Sequence, residues 1–340
     1  MATALLGLGS NLGDRAAALE KAVALLKAEP NIRVEAVSSF RQSQPAGGPE
    51  GQGEFLNAAA RLETTLSPEE LLARLLAIEH QIGRVREERW GPRVIDLDLL
   101  LYDLVERKTP TLELPHPRMC YRRFVLEPAA EIAGEMVWPV NGWSVATLRH
   151  NLDTSAKYIA ISKSDVLTLR DELSRIELEV ECQILWEPAK ERLPPLDHLR
   201  RLSREIERSN WRTERIWRIS DFWFDQLFVQ FECLLASHPE AANTMCLWET
   251  VRREIVQPRL VIILEDPVHW WILANDSRPA SVATEFVFEI KPGHSALHTE
   301  FYSRMRQFCR RADCPPALWL PAEDRERVER EVLAAMQAME

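Results

Sequence analysis

Apolar residues recur at two different periods along this chain, and the switches between them mark its elements. Thr3–Gly9 is a short apolar run that closes on glycine, which predicts a strand. Asp14–Lys27 spaces Ala, Leu and Val at helical intervals, whereas Ile32–Phe40 and Glu54–Glu63 alternate as strands do. Ser67-Pro68-Glu69-Glu70 is a capping box with proline in the first turn, so a helix should run from there to Ile82. Val94–Tyr102 predicts a further strand and Phe124–Ile132 a helix. The order β-α-β-β-α-β predicts an α+β sandwich of ferredoxin-like type.

Beyond residue 157 the grammar changes. Strands are predicted at Tyr158–Ile161, Val180–Leu185, Ile216–Ser220, Arg259–Leu264 and Ala317–Leu320. Helices are predicted at Asp165–Ile176, Leu196–Ser209, Asp225–Ala236, Glu240–Glu254, Val268–Ala274, Leu297–Arg311 and from Glu323 onward. Such alternation predicts a parallel, doubly wound α/β sheet. Composition draws the same border: 11 of 12 glycines precede residue 151, and 8 of 11 tryptophans follow it. A chain of 340 residues is more than one core usually organises. The polar stretch Asn151–Ala156 is the expected seam, giving domains of 1–152 and 157–340.

Charge and composition then remove classes of function. At 46% hydrophobic and 28% charged, the chain is globular rather than disordered or fibrous. The net charge of −10 divides as −3 before residue 152, from 17 basic and 20 acidic residues, and −7 after it. Neither half has the basic excess of a nucleic-acid binder. No apolar run approaches the roughly 20 residues of a membrane span, and the N-terminus does not read as a signal peptide. Six cysteines without a CxxC pair predict reduced thiols in a cytoplasmic protein.

The densest chemistry lies in Gly83-Arg84-Val85-Arg86-Glu87-Glu88-Arg89-Trp90-Gly91-Pro92-Arg93-Val94-Ile95-Asp96-Leu97-Asp98. Asp96 and Asp98 stand two apart in a strand, so their carboxylates share a face, with Leu97, Leu99 and Leu101 expected on the buried one. Two close carboxylates repel, and Mg²⁺ relieves that conflict by taking oxygen ligands. Arg84, Arg86, Arg89 and Arg93 are suited to gripping phosphate oxygens. An Asp-x-Asp on a strand also occurs as a simple surface salt-bridge partner. The four arginines and the Trp-Gly-Pro turn favour phosphoryl transfer instead. Gly7-Leu8-Gly9-Ser10-Asn11-Leu12-Gly13-Asp14 is either an ordinary turn or a close backbone approach to a ligand. Asn57 in Phe55-Leu56-Asn57-Ala58-Ala59 is either a strand-end residue or an edge contact. His116, between two prolines and followed by Arg118, Arg122, Arg123 and Phe124, suits hydrogen bonding or phosphate contact better than metal binding.

Together these motifs, in this order from residue 4 to about 150, resemble the 6-hydroxymethyl-7,8-dihydropterin pyrophosphokinases. The resemblance implies transfer of the β,γ-pyrophosphoryl unit of ATP to a pterin hydroxymethyl group, with release of AMP, in folate biosynthesis. It implies two Mg²⁺ ions on Asp96 and Asp98, which with Arg84 and Arg93 form the catalytic set. Arg84, Arg93 and Arg122 then handle the triphosphate, and Arg86, Arg89 and Trp90 lie on a loop closing over it. His116 and Glu79 contact or neighbour the nucleotide. Asn57 bonds the pterin edge, with Phe55 and Phe124 flanking its ring. Two departures are Leu76, where some members carry glutamine, and an Arg86–Arg89 segment one residue shorter than in some relatives.

The second half is similar, more faintly, to deoxynucleoside kinases, on Lys157–Ile161, Ile219–Asp225 and Pro258–Leu264. Their glycine-rich phosphate loop is missing, because Ser162-Lys163-Ser164-Asp165-Val166-Leu167-Thr168 contains no glycine. Asn275-Asp276-Ser277-Arg278 replaces a run of arginines, and Asp221 reads as a structural remnant. The expectation is a P-loop-kinase-like domain lacking its P-loop, catalytically inactive and serving structure, regulation or homodimer assembly. Trp223 and Trp270-Trp271 are either core residues or a dimer face. A bifunctional enzyme that still phosphorylates deoxynucleosides, and a non-catalytic interaction protein, are the alternatives.

Overall fold

β1 (Ala2–Ser10) is the spine of the first sheet, with antiparallel strands on both sides. The computed structural model describes residues 1–49, 51–84, 90–162, 180–183, 204, 216–220, 223–234, 241–265, 271–274, 287–290, 295–322 and 324–340. They fall into two units, Met1–Thr154 with Arg330–Glu340, and Ser155–Glu329.

In the first unit α1 (Arg15–Ala28) follows β1, and Asp14 caps it by accepting from Ala17 N at 3.0 Å. Next come β2 (Ile32–Val37), β3 (Arg41–Ser43) and β4 (Phe55–Thr64). One strand was expected over Ile32–Phe40, but the chain breaks there for a local reason. The Ser38 hydroxyl accepts from Ala59 N at 2.9 Å, and Ser39 donates from N and Oγ to Glu131 at 2.8 and 2.6 Å. Ser38 N still donates to Ala59 O at 2.9 Å, so it is Ser39 that turns its N–H and hydroxyl away from β4 and ends the strand. α2 (Pro68–Ile82) begins at the full Ser67/Glu70 capping box and ends at Gly83, whose φ of 111° suits glycine. β5 (Asp96–Tyr102) completes the sheet in the order β2-β4-β1-β5, with β3 beside β4. A two-residue hairpin, β6 (Arg107–Lys108) with β7 (Glu113–Leu114), precedes α3 (Arg123–Ala133) and α4 (Val145–Thr154). The α+β expectation therefore holds for this unit, and Asn151–Thr154 form the last turn of a helix.

Leu19, Ala22 and Leu26 of α1 and Leu71, Leu75 and Ile78 of α2 pack on Ala4, Leu6, Leu8, Leu97 and Leu99. Each large aliphatic side chain so buried contributes about 1.5–3 kcal/mol. Leu101 departs from the expected alternation. The β1–β5 register shifts between Leu5 and Leu6, so Leu6 opposes Leu99 while Leu5 opposes Leu101. This bulge places Leu101 on the aspartate face and gives its core position to Tyr102.

The second unit contains β8 (Tyr158–Ser162), β9 (Val180–Gln183), β10 (Trp217–Ser220), β11 (Leu260–Glu265), β12 (Trp271–Ala274), β13 (Val287–Ile290) and β14 (Ala317–Pro321). Five of them make a parallel sheet in the order β14-β11-β8-β10-β9. The described helices are α5 (Phe224–Leu234), α6 (Ala241–Arg252), α7 (Ser295–Phe308) and α8 (Arg325–Met339), whose residues from Arg330 cluster with the first unit. Trp271–Ala274, expected in a helix, is instead a strand paired antiparallel with Val287–Ile290. A partner strand so near in sequence decides the matter against a short apolar run's helical spacing. Trp223 is core: it is fully buried and meets Phe308 edge-on at 5.6 Å. Lys163–Thr168, Asp221, Trp270 and Asn275–Arg278 lie outside the described residues. Among those described, no helix is long and apolar enough to cross a membrane.

Candidate active site

Strand register assembles the floor of the site. Gly9 lies between Asn57 on β4 and Asp96 on β5, and Gly7 pairs with Asp98. Paired residues share a face, so Asn57, Asp96 and Asp98 point to one side of the sheet. A Cβ on Gly9 would stand 3.4 Å from Asn57 Oδ1 and 3.8 Å from the Phe55 ring. Glycine leaves that strip of the floor without a side chain. Above it opens a cavity of about 990 Å³, lined by Phe55, Asn57, Glu79, Arg84, Trp90, Arg93, Asp96, Asp98, His116, Arg122 and Phe124. The sequence-predicted set thus converges on one cavity, except Arg86 and Arg89, which lie outside the described residues.

The two aspartates differ sharply. Asp96 accepts from Arg84 Nη1 on one oxygen and from Arg93 Nη1 at 2.6 Å on the other. Burial opposes its charge, but Arg93 and Arg84 outweigh that and hold the carboxyl below its ordinary value. Asp98 has no ion pair among the described residues. Burial first, and the Asp96 carboxylate second, push it up to about 7. Glu79, 3% exposed, accepts from Leu97 N at 2.8 Å and from Arg84. It therefore ties α2 to the edge of β5 and orients Arg84 toward Asp96. Burial, then Arg122 and Arg118, push His116 down to about 3, so the imidazole is neutral at pH 7.

Aromatic walls stand on either side. The Arg93 guanidinium lies 5.9 Å from the centre of the Phe55 ring, and that of Arg122 lies 5.6 Å from Phe124. Asn57 is 5% exposed and donates to Ser43 Oγ at 2.9 Å. The side chain is thereby fixed by β3 rather than free at a strand end.

The roles of four residues here escaped the sequence reading. Asn11 Oδ1 accepts from Arg93 N at 2.8 Å while its Nδ2 donates to Gln52 Oε1 at 3.2 Å. Gln52 Nε2 donates in turn to Trp90 O at 3.1 Å. Together they clasp the 47–53 and 90–93 loops at the cavity rim. Close approach is built in, since a Cβ on Gly48 (φ 84°) would stand 2.5 Å from Trp90 O. Arg118 also lines the cavity, 5.8 Å from the Trp90 ring centre, and pairs with Glu331. Asn11 had a signal, because asparagine inside a glycine-rich turn suits loop clasping. Gln52 and Glu331 had none.

Against known proteins, the sequence model of a family described as 7,8-dihydro-6-hydroxymethylpterin-pyrophosphokinase (HPPK) matches residues 5–134. A 2-amino-4-hydroxy-6-hydroxymethyldihydropteridine pyrophosphokinase of Methylorubrum extorquens is 48% identical over 155 residues, 46% of this chain and 96% of that protein. The protein of the same name from Bacillus subtilis is 47% identical over 133 residues, 39% of this chain and 79% of its own length. A third, from Synechocystis, is 43% identical over 153 residues, 45% of this chain and 77% of its own.

Proposed function

The chain belongs to the 7,8-dihydro-6-hydroxymethylpterin-pyrophosphokinase family through its first unit, and from that premise we propose how its residues carry the reaction. It is a 2-amino-4-hydroxy-6-hydroxymethyldihydropteridine pyrophosphokinase of folate biosynthesis, using ATP as co-substrate. The hydroxymethyl oxygen of the pterin releases its proton to water and bonds to the β-phosphorus of ATP as the bond from that phosphorus to the α-phosphate oxygen breaks. AMP leaves and the pterin keeps the diphosphate.

In this reading Asn57 bonds the pterin edge, and Phe55 and Phe124 flank its ring. Arg84, Arg93 and Arg122 seat the triphosphate, with His116 and Glu79 beside the nucleotide and Trp90, Arg86 and Arg89 on the covering loop. His116 Nδ1 accepts from Arg118 N at 3.3 Å, so the neutral imidazole carries its proton on Nε2 and can donate a hydrogen bond to the nucleotide without adding charge. Asp96 and Asp98 fit a magnesium site, because Asp98 is a half-buried carboxylate with no ion-pair partner of its own among the described residues. When bound there, magnesium supplies Lewis-acid neutralisation of the phosphate oxygens; the count of two ions rests on the family resemblance, since Arg84 and Arg93 hold both Asp96 oxygens. The remaining work is positioning: two flat walls and three guanidiniums hold hydroxyl and phosphate in line.

The observation that carries this reading is the convergence of Asp96, Asp98, Arg84 and Arg93 on one cavity. Incubation with ATP, Mg²⁺ and 6-hydroxymethyl-7,8-dihydropterin should yield AMP only when the pterin is present. Accumulation of ADP instead would overturn it.

For the second unit we propose a deoxynucleoside-kinase-like fold without kinase activity, in a cytoplasmic protein. The central position of β8 in a parallel sheet supports the fold, and the glycine-free Ser162–Thr168 supports the loss of activity. Deoxynucleoside-dependent ADP release would reverse that view. The resemblance to kinases that pair through helices supports a homodimer, and a monomer mass in sedimentation would exclude it.

A further inference from the structure

Arg118 lines the cavity two residues beyond His116, yet its guanidinium is committed to a residue far along the chain. Nε donates to Glu331 Oε2 at 2.8 Å and Nη2 to Glu331 Oε1, a fork-on-fork pair. Glu331 is 1% exposed. Separating the two would take from each buried charge its fork-on-fork partner, which holds the pair in place. The same guanidinium lies over the Trp90 ring, 5.8 Å from its centre.

Further contacts come from the same segment. Gln337 Oε1 accepts from Gly47 N at 2.8 Å, and Met339 O accepts from Arg123 Nε at 3.2 Å. The Ala334 methyl would stand 3.0 Å from a Cβ on Gly47 (φ 75°), so only glycine fits there. Val332, Ala335, Met336 and Met339 are fully buried, which anchors the segment. Residues Arg330–Glu340 belong to the first unit, and Gly47, Trp90 and Arg118 all line its cavity. The segment thus holds separate parts of the cavity wall from outside. None of these contacts involves Phe55 or Asn57.

Glu331 lies 213 positions beyond Arg118. The Methylorubrum relative, matched over 155 residues that are nearly all of its length, is too short to contain both the motifs and so distant a segment. That relative therefore cannot carry a counterpart of this pair at such a separation.

We propose that Glu331 is a positioning residue for the nucleotide side of the site: by holding Arg118, and through it the Trp90 wall, it sets the shape that receives the ATP triphosphate. The inference rests on the pyrophosphokinase reading and adds to it a requirement for the far C-terminal segment. Because Glu331 neutralises Arg118, that arginine acts through shape and direction rather than net charge. The closing test measures AMP release by the full-length protein and its Glu331→Gln variant. The KM for ATP should rise about tenfold, with kcat and the pterin KM within about twofold of wild type. Glu331→Asp, which keeps the charge, should recover most of the loss. An unchanged ATP KM, or both KM values and kcat worsening together, would overturn the role of Glu331. Should circular dichroism show Glu331→Gln unfolded, the double variant Arg118→Met/Glu331→Gln removes both charges and should fold with the ATP KM still raised. A wild-type ATP KM in that variant also overturns the proposal. Absence of AMP from wild type itself would instead defeat the pyrophosphokinase reading.

Discussion

Two aspartates, one in each unit, receive opposite treatment. Asp225 is fully buried, and Arg252 Nε donates to both its oxygens at 2.9 and 3.0 Å. Arg252 is itself anchored by Asp313 at 2.7 Å and lies over the Trp248 ring at 5.4 Å. Asp98 has arginines in its neighbourhood but no ion pair among the described residues. The first arrangement completes a scaffold. The second leaves a carboxylate without an ion-pair partner among the described residues, which is the arrangement the proposed magnesium site calls for.

Asp98→Asn tests the contrast most severely. With the second carboxylate gone, AMP formation should fall by about a thousandfold or more, read from initial rates at saturating ATP and Mg²⁺. The same change should stabilise the metal-free protein. The folded carboxyl is raised to about 7 from 3.8, so its stability contribution is present below pH 3.8 and lost as pH rises through 7. At pH 8 wild type therefore bears a burden that the amide lacks, about 1–2 kcal/mol after allowance for partial solvent access. A variant that is inactive and less stable at pH 8 would place Asp98 with Asp225 as a structural residue.

Asp225→Asn should behave in reverse. Breaking a buried pair by neutralising one partner costs about 3 kcal/mol, visible in urea unfolding. Turnover per folded molecule should stay at the wild-type level. A large loss of kcat with unaltered stability would give the second unit a part in catalysis.

Chemistry written contiguously was legible, and chemistry assembled by folding was not. Arg84, Arg93, Asp96 and Asp98 lie within one stretch, and a strand's two-residue period puts the carboxylates on one face without any tertiary information. α1, α2 and α3 were readable for a similar reason, since Ser67 and Glu70 close the α2 cap within a single turn, whereas α4 runs through the stretch expected as a seam. The β5 bulge was hidden because it depends on the register with β1. Likewise Glu331 is an ordinary helical glutamate until Arg118 is beside it. Between these extremes stands Asn11, whose motif was noticed but whose partners Arg93 and Gln52 were not. Asn11→Ala should loosen both rim loops. A cost of about 1–2 kcal/mol in stability and a raised KM for both substrates are expected. If only stability changed, the clasp would serve the fold alone.

The smallest effect sets His116 against Asp98, because their shifts run in opposite directions within one cavity. His116 is lowered from 6.5 to about 3. On acidification the unfolded chain takes up this proton first, so the stability present above pH 6.5 is progressively lost toward pH 3. The slope has a ceiling of about 1.4 kcal/mol per pH unit and should reach about half of that for a side chain partly open to water. Asp98 gains stability over part of the same range, so the wild-type profile should be nearly flat between pH 7 and 5. His116→Asn removes one arm of that balance, and its stability relative to wild type should improve as the pH falls. Asp98→Asn removes the other, and its relative stability should decline. Urea unfolding of the three metal-free proteins at pH 7.5, 6.5, 5.5 and 4.5, chosen to bracket those titrations, would display two diverging curves about a level one. Parallel curves would mean that neither group feels the burial assigned to it, and the contrast between the two aspartates would lose its electrostatic basis.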